Sequence, residues 1–208
     1  MKPTFLAFLL IFSYLSCQSQ ETKMNNIEIK AFVTKISQQN KKIKTLQSDF
    51  TQTKKMDFLD KAIVTTGKMA LKSPNLLSWM YTKPYQYTVI FKDNKIFVND
   101  QGKKSSVDVK SKMFEKINNL IAGSTNGKLF NDPDFSVAYF KNGNTVISKF
   151  FPKNAQLKKY IRQVDLYFPN AATTVSEVNM LEASGDTTSI IFKNTKINGE
   201  ISASVFEL

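Results

Sequence analysis

The sequence predicts an α+β fold: one twisted antiparallel sheet with an N-terminal helix and a shorter inserted helical segment. Three observations lead there. Apolar residues recur at helical spacing between Asn25 and Lys44. Most of the remaining chain alternates apolar and polar residues, with turn residues every ten or so positions. The middle of the chain then returns briefly to helical spacing. A length of 208 residues suits one domain, and no repeat or linker divides it. Hydrophobic residues at 42% and charged residues at 22% describe a chain that folds rather than one that stays disordered.

The first helix rests on Ile29, Phe32, Val33, Ile36 and Ile43, which form one apolar stripe with Lys35, Gln38, Gln39, Lys41 and Lys42 between them. The strands follow. Met69 and Leu71 alternate with Lys68 and Lys72, Pro74-Asn75 marks a turn, and Leu77, Trp79 and Tyr81 share the next face. Lys83-Pro84 interrupts the pattern before Tyr85, Tyr87, Val89 and Phe91, and Asp93-Asn94 turns the chain into Lys95–Asn99. Such a series reads as an antiparallel meander. Met113, Phe114, Ile117, Leu120 and Ile121 resume helical spacing up to Gly123, and a polar loop is expected over Ser124–Asp134. Strands return at Phe135, Val137 and Tyr139, and Asn142-Gly143 is the strongest short hairpin signal. Tyr160 to Phe168 alternates again, as do Val178 with Met180 and Thr188 with Ile190 and Phe192.

The N-terminus has the order of a secretory signal peptide: Lys2, then the apolar run Phe5 to Leu15, then the small and polar Ser16 to Gln20. The run is about half the length of a membrane-spanning helix. Residues 1–19 are therefore expected to be a signal peptide and 20–208 the single folded domain. Cys17 and Ser19 stand where a signal peptidase cutting before Gln20 needs small residues. Lipid attachment to Cys17 is the alternative. Leu15-Ser16-Cys17 resembles the end of a lipobox, with Tyr14 where an aliphatic residue is usual. The first outcome gives a soluble periplasmic protein, the second a membrane-anchored one.

Composition excludes several chemistries. With no histidine there is no Ser-His-Asp triad, no Cys-His pair and no His-ligated metal. Cys17 is the only cysteine, so the folded body has no thiol nucleophile, disulfide or thiolate metal site. No carboxylate pair stands in a recognisable frame, and neither enzyme activity, a metal nor a cofactor is expected. The formal net charge is +12, and losing the signal removes only Lys2 from it. The lysines are dispersed and Arg162 is the only arginine, a poor match to nucleic-acid readers, which lean on arginine forks. A basic exported protein is instead either simply well solvated or attracted transiently to anionic membranes or an acidic partner.

Phe50-Thr51-Gln52 follows the first helix. Gly67-Lys68-Met69 then opens a strand leading through Leu71-Lys72-Ser73-Pro74-Asn75-Leu76-Leu77-Ser78-Trp79 to Tyr81 and Pro84. This series resembles the LolA family of periplasmic carriers of outer-membrane lipoproteins. Farther on, Gly185-Asp186 separates two strands, and Asn198 begins an expected last strand ending near Phe206. The resemblance implies an incomplete antiparallel β-barrel, a strongly curved sheet covered by the helices. It also implies a monomeric carrier that takes acylated lipoproteins from an inner-membrane ABC transporter complex, shelters their acyl chains and passes them to an outer-membrane acceptor. At Ser73 many family members carry an arginine thought to latch the helical lid. Serine cannot reach or pair as a guanidinium does, so closure here would rest on the lid's apolar face.

An acyl chain has no hydrogen-bonding groups along its length and is held only by apolar area. The expected acyl-chain wall is Phe50, Met69, Leu71, Leu77, Trp79, Tyr87, Val89, Phe91, Leu166 and Phe168, with Phe114, Ile117, Leu120 and Ile121 as the lid. An ordinary core would draw on the same side chains. Two other binding roles stay open at this stage: a lipidated outer-membrane acceptor of the same fold, or a periplasmic binder of another amphiphile. Gly67 is expected to serve a bulge or strand start, and Pro74-Asn75 a turn.

Overall fold

The computed structural model describes residues 20–208 except 94, 109–129, 131 and 171. The expected signal peptide with Cys17, and the expected lid with Phe114, Ile117, Leu120 and Ile121, lie outside the described residues. The strands are β1 (Thr22–Lys23), β2 (Thr45–Lys55), β3 (Ile63–Lys72), β4 (Leu76–Lys83), β5 (Tyr87–Lys92), β6 (Lys95–Asp100), β7 (Lys103–Asp108), β8 (Phe135–Asn142), β9 (Thr145–Pro152), β10 (Ile161–Pro169), β11 (Glu177–Glu182) and β12 (Thr187–Ile197). Among the described residues the helices are α1 (Asn26–Asn40) and α2 (Ala155–Lys158), and a 3-10 turn spans Ala203–Phe206.

All 12 strands belong to one sheet, in the order β1-β8-β9-β10-β11-β12-β2-β3-β4-β5-β6-β7. Every neighbouring pair is antiparallel. The last strand β12 thus lies against β2, joining the first meander to the second. Among the described residues β1 and β7 are left as edges, so the sheet is an incomplete barrel. A sheet this wide must curl, because the twist of each strand accumulates. Register shifts at Thr66/Gly67 in β3, Ile161/Gln163 in β10 and Lys193/Lys196 in β12 add bends. At the last of these, the Ser48 hydroxyl donates to the Lys193 carbonyl at 2.7 Å and meets the Thr195 hydroxyl at 3.0 Å.

Helix α1 starts where a capping box puts it. The Asn25 side chain accepts from the backbone N–H of Ile27 and Glu28, both at 3.0 Å, and Glu28 accepts from the Asn25 N–H at 2.9 Å. Replacing Asn25 with Ala leaves those N–H groups without an acceptor and is expected to lower stability by about 1 kcal/mol, measured by urea unfolding. The helix ends at Asn40, short of the expected Lys44. Ile43 therefore leaves the helical stripe and packs with Leu46 and Phe50 instead. The stripe itself buries Phe32 and Ile36 on the inner face of β8 to β10, where the Phe32 ring stands 5.2 Å edge-on from Phe168 and 6.1 Å from Tyr139.

The chain after β12 departs from expectation. Asn198 does not begin a strand; it sits at φ +57 and ends one. Its side chain accepts from Lys44 N–H at 2.7 Å and donates to the Lys42 carbonyl at 3.0 Å. The tail then crosses the outer face, where Phe206 is buried with Ala70 and Ile90. The β8–β9 hairpin is present, but Asn142 pairs with Thr145 and the turn falls on Gly143, at φ +55, and Asn144.

Candidate functional site

Strand register puts every described residue of the expected acyl-chain wall on one face. Leu71 pairs with Leu77, Met69 with Trp79, Leu77 with Phe91, Trp79 with Val89 and Tyr81 with Tyr87. Phe50 pairs with Gly67 on one side and Phe192 on the other. On β10, Leu166 and Phe168 carry the same face farther round, beyond β11 and β12.

The residues nonetheless form two separate clusters. Leu166 and Phe168 are fully buried beneath α1 with Phe32, Ile36 and Phe150. Phe32 of α1 and Phe130 both pack against Phe168, at 5.2 and 6.3 Å, so these two residues belong to the covered core rather than to open wall. Phe50, Met69, Leu71, Leu77 and Trp79 make the second cluster, with Tyr81, Phe91, Ile190 and Phe192 packed half-buried on it. Tyr87 and Val89 are half-buried beside them. Burial therefore falls from the centre of the face toward β5, which is the part with apolar area left to cover.

The centre of this wall is aromatic. Phe50 stacks on Trp79 at 4.3 Å with an angle of 28° between the rings. Tyr81 meets Phe50 edge-on at 5.3 Å, and Phe192 meets Trp79 edge-on at 6.1 Å. The ladder continues from Tyr81 to Tyr87 at 6.2 Å and to Tyr85 at 6.5 Å. Gly67 supplies the room: its missing side chain is the space the Phe50 ring occupies. Tyr81 donates to Gln52 Oε1 at 3.1 Å, and burial pushes its hydroxyl pKa above the usual tyrosine value. The Trp79 indole N–H stands on the Tyr81 side without a hydrogen bond of good geometry among the described residues. Such a surface offers apolar area, ring faces and few polar groups, which suits a hydrocarbon ligand.

Ser73 lies in the exposed turn between β3 and β4, its N–H donating to the Lys44 carbonyl at 2.8 Å. The lid it was expected to face lies outside the described residues. Among the described residues, no group of three or more Asp, Glu, His or Cys side chains converges on a point that could hold a metal. The outer face carries a separate depression of about 340 Å³, lined by Thr53, Gln163, Asp165 and Asn179 together with Met180 and Leu181. Sequence reasoning missed Phe192, Ile190 and Tyr81 as wall residues. Their signal was present, since each lies in a strand read as alternating.

The chain matches the family model described as outer membrane lipoprotein carrier protein LolA over residues 41–208. It belongs to the LolA family. No curated protein matches it. Among solved structures, a DUF1329 family protein from Desulfovibrio piger superposes with a TM-score of 0.51 at 12% identity, over 85% of this chain and 95% of that one. The MucA/MucB complex of Pseudomonas aeruginosa gives 0.50 at 6% identity, over 87% of this chain and 61% of the matched one. A LolA superfamily protein from Nitrosomonas europaea gives 0.49 at 8% identity, over 86% and 97%. At such identities the first two likenesses concern the fold, and they agree with the open, curled sheet of this LolA family member. No described helix is long and apolar enough to cross a membrane.

Proposed function

We propose that this LolA family protein is a periplasmic carrier that binds the acyl chains of lipoproteins on the inner face of β2 to β5 and ferries them from inner to outer membrane. The observation that carries the reading is the half-buried aromatic and aliphatic wall of Tyr81, Tyr87, Val89 and Phe91 next to the packed Phe50–Trp79 stack. Each methylene moved from water onto such a wall contributes about 0.8 kcal/mol, so a long acyl chain binds well with no polar contact at all. The carrier would take its cargo from an inner-membrane ABC transporter complex and surrender it to an outer-membrane acceptor.

Trp79 is the single tryptophan of the chain and reports on the wall directly. Titrating the processed protein with an acylated peptide is expected to shift or quench its emission saturably. Native mass spectrometry of the protein purified from its own host should find acylated species bound. No change in Trp79 emission while binding is demonstrated by calorimetry would move the acyl site off this wall. Cys17 supports one second reading, an outer-membrane acceptor of the same fold: a diacylglyceryl group on Cys17 in the isolated protein would select it.

A further inference from the structure

We propose that the β2–β3 hairpin tip, Phe58–Leu59, is a wedge that docks the protein onto an anionic lipid bilayer. Phe58 is 79% exposed and Leu59 41%. The tip holds them there by structure, since the Leu59 N–H donates to the Met56 carbonyl at 3.0 Å and closes a turn. Directly below, Ile63 and Val64 are also exposed, Val64 at 53%. A solvated hairpin end would ordinarily carry polar turn residues, so consecutive bulky apolar side chains at an apex need an occupant.

Two features make that occupant a bilayer. The patch is four residues at one hairpin end, Phe58, Leu59, Ile63 and Val64, far fewer than the roughly 20–30 residues a side of a stable protein interface, and an apolar hairpin end suits the boundary between headgroups and acyl chains. The exposed lysines Lys55 and Lys61 flank it on the two arms of the hairpin, and Lys83 lies exposed at the neighbouring strand end. These lysines stand at headgroup level when the apex is inserted, and the whole chain is strongly basic. Asp57 and Asp60 share the tip. Asp57 is turned back toward the β11–β12 turn, where a Cβ on Gly185 would stand 3.1 Å from its carboxylate. Attraction to anionic lipid therefore comes from the flanking lysines and the field of the body rather than from the apex.

The wedge stands on the same rim as the start of the aromatic ladder. Tyr85, 45% exposed at the β4–β5 turn, contacts Tyr81, and Tyr81 contacts Phe50 on the inner wall. Docking would bring that rim, and with it the open end of the wall, against the membrane. The proposal draws its purpose from the carrier reading, but its test uses no cargo.

The processed chain from residue 20 contains no cysteine, so single labels are unambiguous. An environment-sensitive NBD label on Phe58→Cys is expected to shift to the blue and brighten several-fold with vesicles of phosphatidylglycerol and phosphatidylcholine. The response should fade as salt rises and be absent with phosphatidylcholine alone. The same label on Asn144→Cys, on the opposite rim, should not respond. Unlabelled Phe58→Asp/Leu59→Asp should lose cosedimentation with the anionic vesicles by about tenfold, while its Trp79 still reports acyl-peptide binding. A silent label at position 58, equal binding to both vesicle types, or wild-type cosedimentation of the double variant would overturn the wedge and leave the acyl wall untouched. Loss of the Trp79 response in wild type, with vesicle binding intact, would instead remove the carrier reading alone.

Discussion

Gly67→Ala is expected to lower stability by about 3 kcal/mol, the upper end for overpacking, read from a denaturant midpoint with an unchanged m-value. A Cβ at this position would stand 2.1 Å from the Met80 carbonyl oxygen and 2.5 Å from Phe50 Cζ. Neither neighbour can give way cheaply. Met80 is paired within the β3–β4 ladder, at the register shift between Thr66 and Gly67. Phe50 is stacked on Trp79 and edge-on to Tyr81, so displacing its ring disturbs the whole aromatic centre. The emission of Trp79 in the folded variant should therefore change as well. Gly199→Ala is the control: its nearest atom, Gln47 Nε2, is 3.9 Å away, and the cost there should be small. A Gly67→Ala protein as stable as wild type would mean that the Phe50 ring does not lie over the strand.

How far the sequence reaches can be judged from single residues. Alternation is a reliable guide where inward positions are apolar and no bulge intervenes, as in β4 with Leu77, Trp79 and Tyr81; at the start of β10 the register shift buries Ile161 and leaves Tyr160 and Arg162, read as part of the alternating run, exposed. Strand β2 was harder to read, because two of its inward positions are Ser48 and Gln52. Each has a local polar task, Ser48 at the bulge of β12 and Gln52 accepting from Tyr81. Ile43 keeps helical spacing but not helical structure, since spacing says nothing about where backbone hydrogen bonds stop. Asn198 was misread for a related reason: its role is a positive φ and three links to the β2 entrance, features of backbone geometry rather than of pattern. The site was legible as a face and not as a place. Period two assigns Leu166 and Phe168 to the inner side correctly, yet only the packing of α1 over that part of the sheet turns them into core.

That division yields the sharpest contrast between variants. Phe168→Ala is expected to cost about 4 kcal/mol of stability, because a fully buried ring is removed from a packed cluster that cannot close over the space. Phe32 stands 5.2 Å from it on α1, so the helix loses part of its seat and its amide protons should exchange faster. Binding of an acylated peptide by the molecules that remain folded should be nearly unchanged. Phe91→Ala should behave in the opposite way. Its ring is half-buried on the edge of the Phe50–Trp79 cluster, and its loss should cost about 1 kcal/mol of stability. Acyl-peptide affinity should fall by about tenfold, equivalent to about 1.4 kcal/mol. Paired unfolding curves and Trp79 titrations on the two variants separate core from wall. If Phe168→Ala weakens acyl binding as much as Phe91→Ala does, the ligand passes beneath α1, and the site extends well beyond the wall of β2 to β5.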